Sequence, residues 1–295
     1  MQFENLPPVD PPSTNPSPEH QSAEILPVTN GVPDGIVEKI PPKPRSPFWE
    51  AWPTVGFGAA IFGVYFVAQA IVTVIFGLIV IVHQMALNPN LDPFRLITDL
   101  TTNGLLISVA TIVSGLAGMG MIVVFVKLRQ GISLKDYLGF KPISFRTILV
   151  ILLIIVALSL LVIGLEQIYT PEQGSDLILD AYQNSRWPVL FWIAVVIFAP
   201  VFEESFFRGF LFVGFRQSRL GPAGAILITS LVFALLHALQ YDIWGIATVF
   251  ILGLILGIVR YKTNSLWSSI CLHSLWNLMQ MVMLIVALKF PGLTA

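Results

Sequence analysis

The chain has 295 residues, is 55% apolar and only 11% charged, and has a mean hydropathy of +0.81. A soluble domain carries about 25% charge, so this composition excludes a disordered chain and an ordinary soluble enzyme. The net charge of −1 offers no field that would draw a nucleic acid. A membrane protein is left, in which every charge either avoids the hydrocarbon or has a reason to sit in it.

Residues 1–47 hold 12 of the 21 prolines, mixed with Ser, Asn, Asp and Glu and without an apolar period. Such a segment cannot bury enough surface to offset its ordering entropy, so residues 1–50 are expected to form a disordered, Pro-rich tail that leans toward polyproline II. No basic stretch followed by a short apolar one opens the chain, so the first span is expected to act as its own insertion signal. The single cysteine, Cys271, cannot form an intrachain disulfide.

Beyond residue 50 the apolar runs are long. Crossing ~30 Å of hydrocarbon at 1.5 Å per residue takes about 20 apolar residues. The predicted spans are Thr54–Val82, Asn103–Val126, Thr147–Leu165, Pro188–Gly214, Ala223–Leu239, Ile243–Ile258 and Ser265–Leu288. Ile243–Ile258 is short, which suits a tilted, protein-buried or re-entrant helix. Its Gly253 and Gly257 form a small-xxx-small pair suited to close helix packing. The expected fold is therefore an all-α polytopic bundle of about seven spans. It is expected to divide into a tail (1–50), N-terminal transmembrane helices and loops (51–187) and a C-terminal transmembrane core (188–289).

Loop charges alternate across these spans. Lys39, Lys43, Arg45, Lys127, Arg129, Lys135, Lys141, Arg146, Arg216, Arg219, Arg260 and Lys262 fall on one side, against Arg95, Arg186 and Lys289 on the other. The positive-inside rule then predicts a cytoplasmic N-terminus in a multi-pass protein of the plasma membrane, in contact with membrane lipids. Trp187, Trp192, Trp244 and Trp267, near span ends, read as an interfacial belt. His20 in the tail and His83 at a span end read as solvated.

The ionisable residues left inside the membrane are few. Among the predicted spans only the fourth contains Asp, Glu, Lys or Arg: Glu203, Glu204 and Arg208. The fifth span holds His237, and the last holds His273 and Asn277. Glu204 and Arg208 are four apart and can pair on one helix face, while Glu203 is rotated by about 100° and faces elsewhere. His273 and Asn277 share a face by the same spacing. From the predicted span ends, Glu203 lies about 16 Å deep, His237 about 22 Å, His273 about 13 Å and Asn277 about 19 Å. That permits one polar pocket in the middle of the bilayer.

A carboxylate and an imidazole around one water form a general-base pair, here Glu203 and His237. A second imidazole and an amide, His273 and Asn277, can donate hydrogen bonds to an oxyanion. Ser205 beside Glu204 and Ser274 beside His273 point away from their neighbours, which disfavours a serine mechanism. Two histidines and a glutamate, His237, His273 and Glu203, are also a donor set that a divalent metal, zinc above all, can use. Asn277 is a poor zinc ligand, no HExxH is present, and water activation without a metal cofactor is preferred.

These motifs, in this order, resemble the CPBP family, which includes the type II CAAX prenyl proteases and bacteriocin-processing membrane proteins. EExxxR matches Glu203, Glu204 and Arg208; FxxxH matches Phe233 and His237; HxxxN matches His273 and Asn277. The resemblance covers residues 190–280 and implies an intramembrane endopeptidase, glutamate-type or metal-dependent, that cuts a membrane-associated protein or peptide. It implies water activation by Glu203 and His237, oxyanion stabilisation by His273 and Asn277, and orientation of the site by Glu204 and Arg208. Phe233 reads as packing, and its place one turn before His237 puts it in position to wall the pocket. Two other readings stand beside it: a non-catalytic membrane partner or bacteriocin-immunity-type protein, and a proton-coupled transporter with a Glu/His relay.

Overall fold

The computed structural model describes residues 46–166 and 177–290, so nearly all of the predicted tail and part of the acidic loop before Trp187 lie outside the described residues. Among the described residues all regular structure is helical. In chain order the helices are α1 (Ala51–Leu87), α2 (Pro93–Thr101), α3 (Gly104–Lys127), α4 (Leu134–Leu138), α5 (Phe145–Glu166), α6 (Leu177–Gln183), α7 (Pro188–Arg216), α8 (Gly221–Leu236), α9 (Ile243–Thr263) and α10 (Leu266–Lys289).

Six of these, α1, α3, α5, α7, α9 and α10, are long and apolar enough to cross a membrane, and α8 is an apolar helix of only 16 residues. The seven predicted apolar segments are thus present, but the short helix is the fifth, and the sixth, expected to be short, is long enough to span. The fifth, predicted to reach Leu239, stops at Leu236 because the chain turns: the His237 N–H bonds to Ala234 O, and the Gln240 and Tyr241 N–H groups bond back to His237 O. Asp242 then caps the next helix by accepting from the Gly245 N–H at 2.8 Å. The sixth runs five residues past its predicted end, to Thr263, and stops where Asn264 turns left-handed at φ 51°. Arg260, expected in a loop, is therefore helical and 2% exposed. The first span is also longer than predicted, so His83 lies within α1, where it is exposed.

Helix α7 is the centre of the bundle, packed by α1, α3, α8 and α10. Small residues make this possible. A Cβ on Gly257 would lie 2.9 Å from Ile226, and one on Gly253 would lie 3.0 Å from Ser230, so the small-xxx-small pair seats α9 against α8. On the other side, Gly118 of α3 faces the ring of Phe202, with no room for a Cβ. Gly118→Ala is expected to destabilise the protein by about 1–3 kcal/mol, as overpacking does, measured as a lower midpoint of thermal unfolding in detergent.

Between α3 and α5, Ser133 caps α4 by accepting from the Asp136 N–H, and Gly139 closes it at φ 77°, a conformation that favours glycine. Gly139 O then accepts from the Leu266 N–H at 2.8 Å, which fastens this loop to the start of α10.

Candidate active site

Helix α7 is not α-helical throughout. Two π-helical stretches, Ala194–Phe198 and Ser205–Leu211, flank the α-helical turn Ala199–Glu204 that carries both glutamates. π-Turns widen a helix locally and recur at functional sites. The first has a readable cause. The Ala199 N–H bonds to Ala194 O, five residues back, and the next donor in that register would be residue 200, a proline with no N–H. Val195 O is the carbonyl so released, and Asn277 Nδ2 of α10 donates to it at 2.9 Å.

Glu204 and Arg208 are both fully buried and pair as their spacing predicts, with Nη1 donating to Oε1 at 3.0 Å. Arg208 Nη2 also donates to Gly253 O at 3.0 Å, an approach that a side chain at position 253 would crowd. Glu204 Oε1 has a second partner, His273 Nδ1 at 3.0 Å. A carboxylate can only accept, so Nδ1 carries the proton and donates.

Glu203 differs from its neighbour. Its side chain is 23% exposed, and Oε2 lies 3.7 Å from His273 Nε2, beyond hydrogen-bond range. The two carboxylates thus face the two nitrogens of one imidazole, one tightly bound and one at a distance. Helical arithmetic separates the pair correctly but does not reveal that His273 lies between them.

His237 enters from the C-terminal end of α8. Its Nδ1 lies 2.8 Å from Phe233 O, and because a carbonyl only accepts, Nδ1 is the donor and Nε2 holds the lone pair in the neutral ring. Phe233, 1% exposed, joins the parts together. Its ring centroid is 4.7 Å from that of His237, 5.7 Å from that of His273 and 4.7 Å from the Arg208 guanidinium. Phe233 is therefore shared packing for both histidines and the buried cation. Ser205 is fully buried, and among the described residues its hydroxyl has no hydrogen-bond partner, histidine or otherwise.

Tyr65 of α1 belongs to the same neighbourhood and was not singled out from the sequence. It stacks on Phe202, the residue before Glu203, at 4.6 Å with an interplanar angle of 4°. A lone tyrosine in an apolar run carries no signal that could have marked it.

His273 donates its Nδ1 proton to Glu204 and His237 donates its Nδ1 proton to Phe233 O, so each presents Nε2, the atom that a metal-ligating histidine with such a partner uses. Among the described residues no three His, Cys, Asp or Glu side chains are grouped closely enough to share an ion.

The segment that supplies these residues matches known proteins. Residues 185–279 match the family model of type II CAAX prenyl endopeptidases, Rce1-like. An uncharacterized 24.3 kDa protein of Escherichia coli is 33% identical over 87 residues, which are 29% of this chain and 40% of that protein. The chain thus matches well under half the length of that relative, and no solved structure matches. Over residues 185–279 the chain is thus similar to the Rce1-like type II CAAX prenyl endopeptidases.

Proposed function

We propose that this protein is a glutamate-type intramembrane endopeptidase that hydrolyses a peptide bond of a membrane-associated protein or peptide. The observation that carries the proposal is the division of labour between adjacent carboxylates: Glu204 is fully buried and committed to Arg208 and His273, whereas Glu203 is partly exposed and makes no short bond.

In this reading Glu203, assisted by the free Nε2 of His237, takes a proton from water as its oxygen attacks the scissile carbonyl carbon. The carbonyl π electrons move to oxygen, and that oxyanion is met by donors from His273 and Asn277. One N–H of the Asn277 amide is taken by Val195 O, and its second is available for this role. Donation from His273 Nε2 requires the doubly protonated ring, because Nδ1 already donates to Glu204. The C–N bond then breaks, and the proton held by Glu203 passes to the leaving nitrogen, so the products are a carboxylic acid and an amine; the acid then gives its remaining proton to Glu203 or to the amine and leaves as a carboxylate. Glu204 and Arg208 orient His273, and Phe233 walls the site.

The protein lies in the plasma membrane with its N-terminus in the cytoplasm, as the loop charges favour. Membrane peptide and protein profiles from cells with wild-type or Glu203→Gln protein test the proposal. Uncut precursors should accumulate with the variant and identify the substrate, while identical profiles would support the non-catalytic partner or immunity-type reading. Cleavage by the purified protein should persist undiminished through a titration with a zinc chelator; dose-dependent loss restored by zinc would overturn the metal-free mechanism.

A further inference from the structure

The second π-turn releases a carbonyl just as the first does. Its last bond runs from the Phe212 N–H to Phe207 O, five residues back. In the α register that follows such a turn, the next donor, the Val213 N–H, belongs to Gly209 O, which leaves Arg208 O without a helical donor. That carbonyl accepts instead from Arg260 Nε of α9 at 3.1 Å. Arg260 has two further oxygen partners, Leu138 O of α4 at 3.1 Å and Asn264 Oδ1 at 3.3 Å. It makes no ion pair with a carboxylate among the described residues, although it is 2% exposed. A buried cation needs oxygen partners, and a planar guanidinium can reach several in different directions where an ammonium cannot.

The two latches act on opposite sides of the glutamates. Asn277 holds Val195 O before them, and Arg260 holds Arg208 O after them. Arg208 is fastened to α9 twice, through its side chain at Gly253 O and through its carbonyl at Arg260. Close to Arg260, Gly139 leaves no room for a Cβ, so the loop that ends α4 is shaped around the guanidinium.

We infer that Arg260 is a positioning residue of the active site. By taking the carbonyl released by the second π-turn and tying it to the end of α4, it sets the direction of Arg208, and through Arg208 the bond from Glu204 to His273. The inference rests on the hydrolase reading above for its consequence in turnover, but its geometry can be read without turnover.

Protein labelled with ¹⁵N at histidine, in lipid bilayers, is examined by solid-state NMR, with the His273 signals assigned by their loss in His273→Gln. The wild type should show a hydrogen-bonded Nδ1–H at His273. Arg260→Lys and Arg260→Gln should split this resonance or move it by more than its linewidth, and should lower cleavage by on the order of 10²-fold, as a small misplacement of catalytic groups does. Asn264→Gly, which removes only the peripheral contact and suits the left-handed backbone there, should leave both unchanged. An unmoved resonance in a folded Arg260→Lys protein overturns the inference, whatever the thermal stability does, because a mere brace would lower stability alone. If Arg260→Gln does not fold, Arg260→Lys decides the matter. A wild-type His273 without a proton on Nδ1 also overturns it. A resonance that responds as expected, in a wild-type protein that cleaves nothing, supports the positioning role and overturns only the hydrolase reading.

Discussion

Glu203→Gln is expected to lower cleavage by about 10²–10⁴-fold, the contribution of a positioned general base. The substitution keeps shape and removes the ability to take a proton. Glu203 is partly exposed and makes no hydrogen bond that the fold depends on, so the thermal midpoint of the variant should match the wild type. Loss of activity without loss of stability is the signature sought, measured as single-turnover cleavage alongside thermal unfolding. Cleavage at the wild-type rate would remove Glu203 from the chemistry.

Arg208→Ala should show the opposite pattern, in which stability falls with activity. Deleting the guanidinium leaves the Glu204 carboxylate buried with His273 as its remaining partner. Breaking a buried pair from one side typically costs about 3–5 kcal/mol, because an uncompensated charge remains. It also empties the space over the Phe233 ring and frees Gly253 O. Replacing both members with apolar residues of similar size, as in Glu204→Leu with Arg208→Met, should recover much of the stability, since hydrophobic replacement of such pairs is often neutral. It should not recover cleavage, because His273 would have lost the acceptor for its Nδ1–H. Equal activity in the double variant would show that the pair is structural only.

The parts of this architecture that follow from hydropathy were legible in the sequence. Runs of apolar residues marked all seven helices, and the four-residue spacings of Glu204 with Arg208 and of His273 with Asn277 placed each pair on one face. Hydropathy did not locate the end of α8, because Ala238 and Leu239 are as apolar as the helix before them and the turn is set by backbone bonds to His237. It also did not reveal the change of helical register, which alters no side chain. Pro200 was the one visible clue, since a proline within a span must leave a carbonyl for something else to satisfy. Arg260 was counted among the loop charges because the predicted sixth span ends at Ile258, two residues before it. Its burial depends on α4, more than 120 residues earlier in the chain, and no local pattern encodes that contact. The partner of each glutamate was hidden for the same reason: it is decided by where α10 crosses α7.

Helix α8 has one more consequence. Sixteen residues span about 24 Å, some 6 Å less than the hydrocarbon of an average bilayer. Its neighbour α9, at 21 residues, has no such deficit. Hydrophobic mismatch of this kind is relieved by local thinning of the lipid or by sinking of the polar turn, at a cost of fractions of a kcal/mol per ångström. The sinking turn would be the one that carries His237. Acyl-chain length thereby becomes a variable of the active site: in short-chain lipid the imidazole meets the headgroups and their water, and in long-chain lipid it is drawn beneath them. In the proposed mechanism the surrounding membrane, as much as the fold, then bears on how readily water reaches His237.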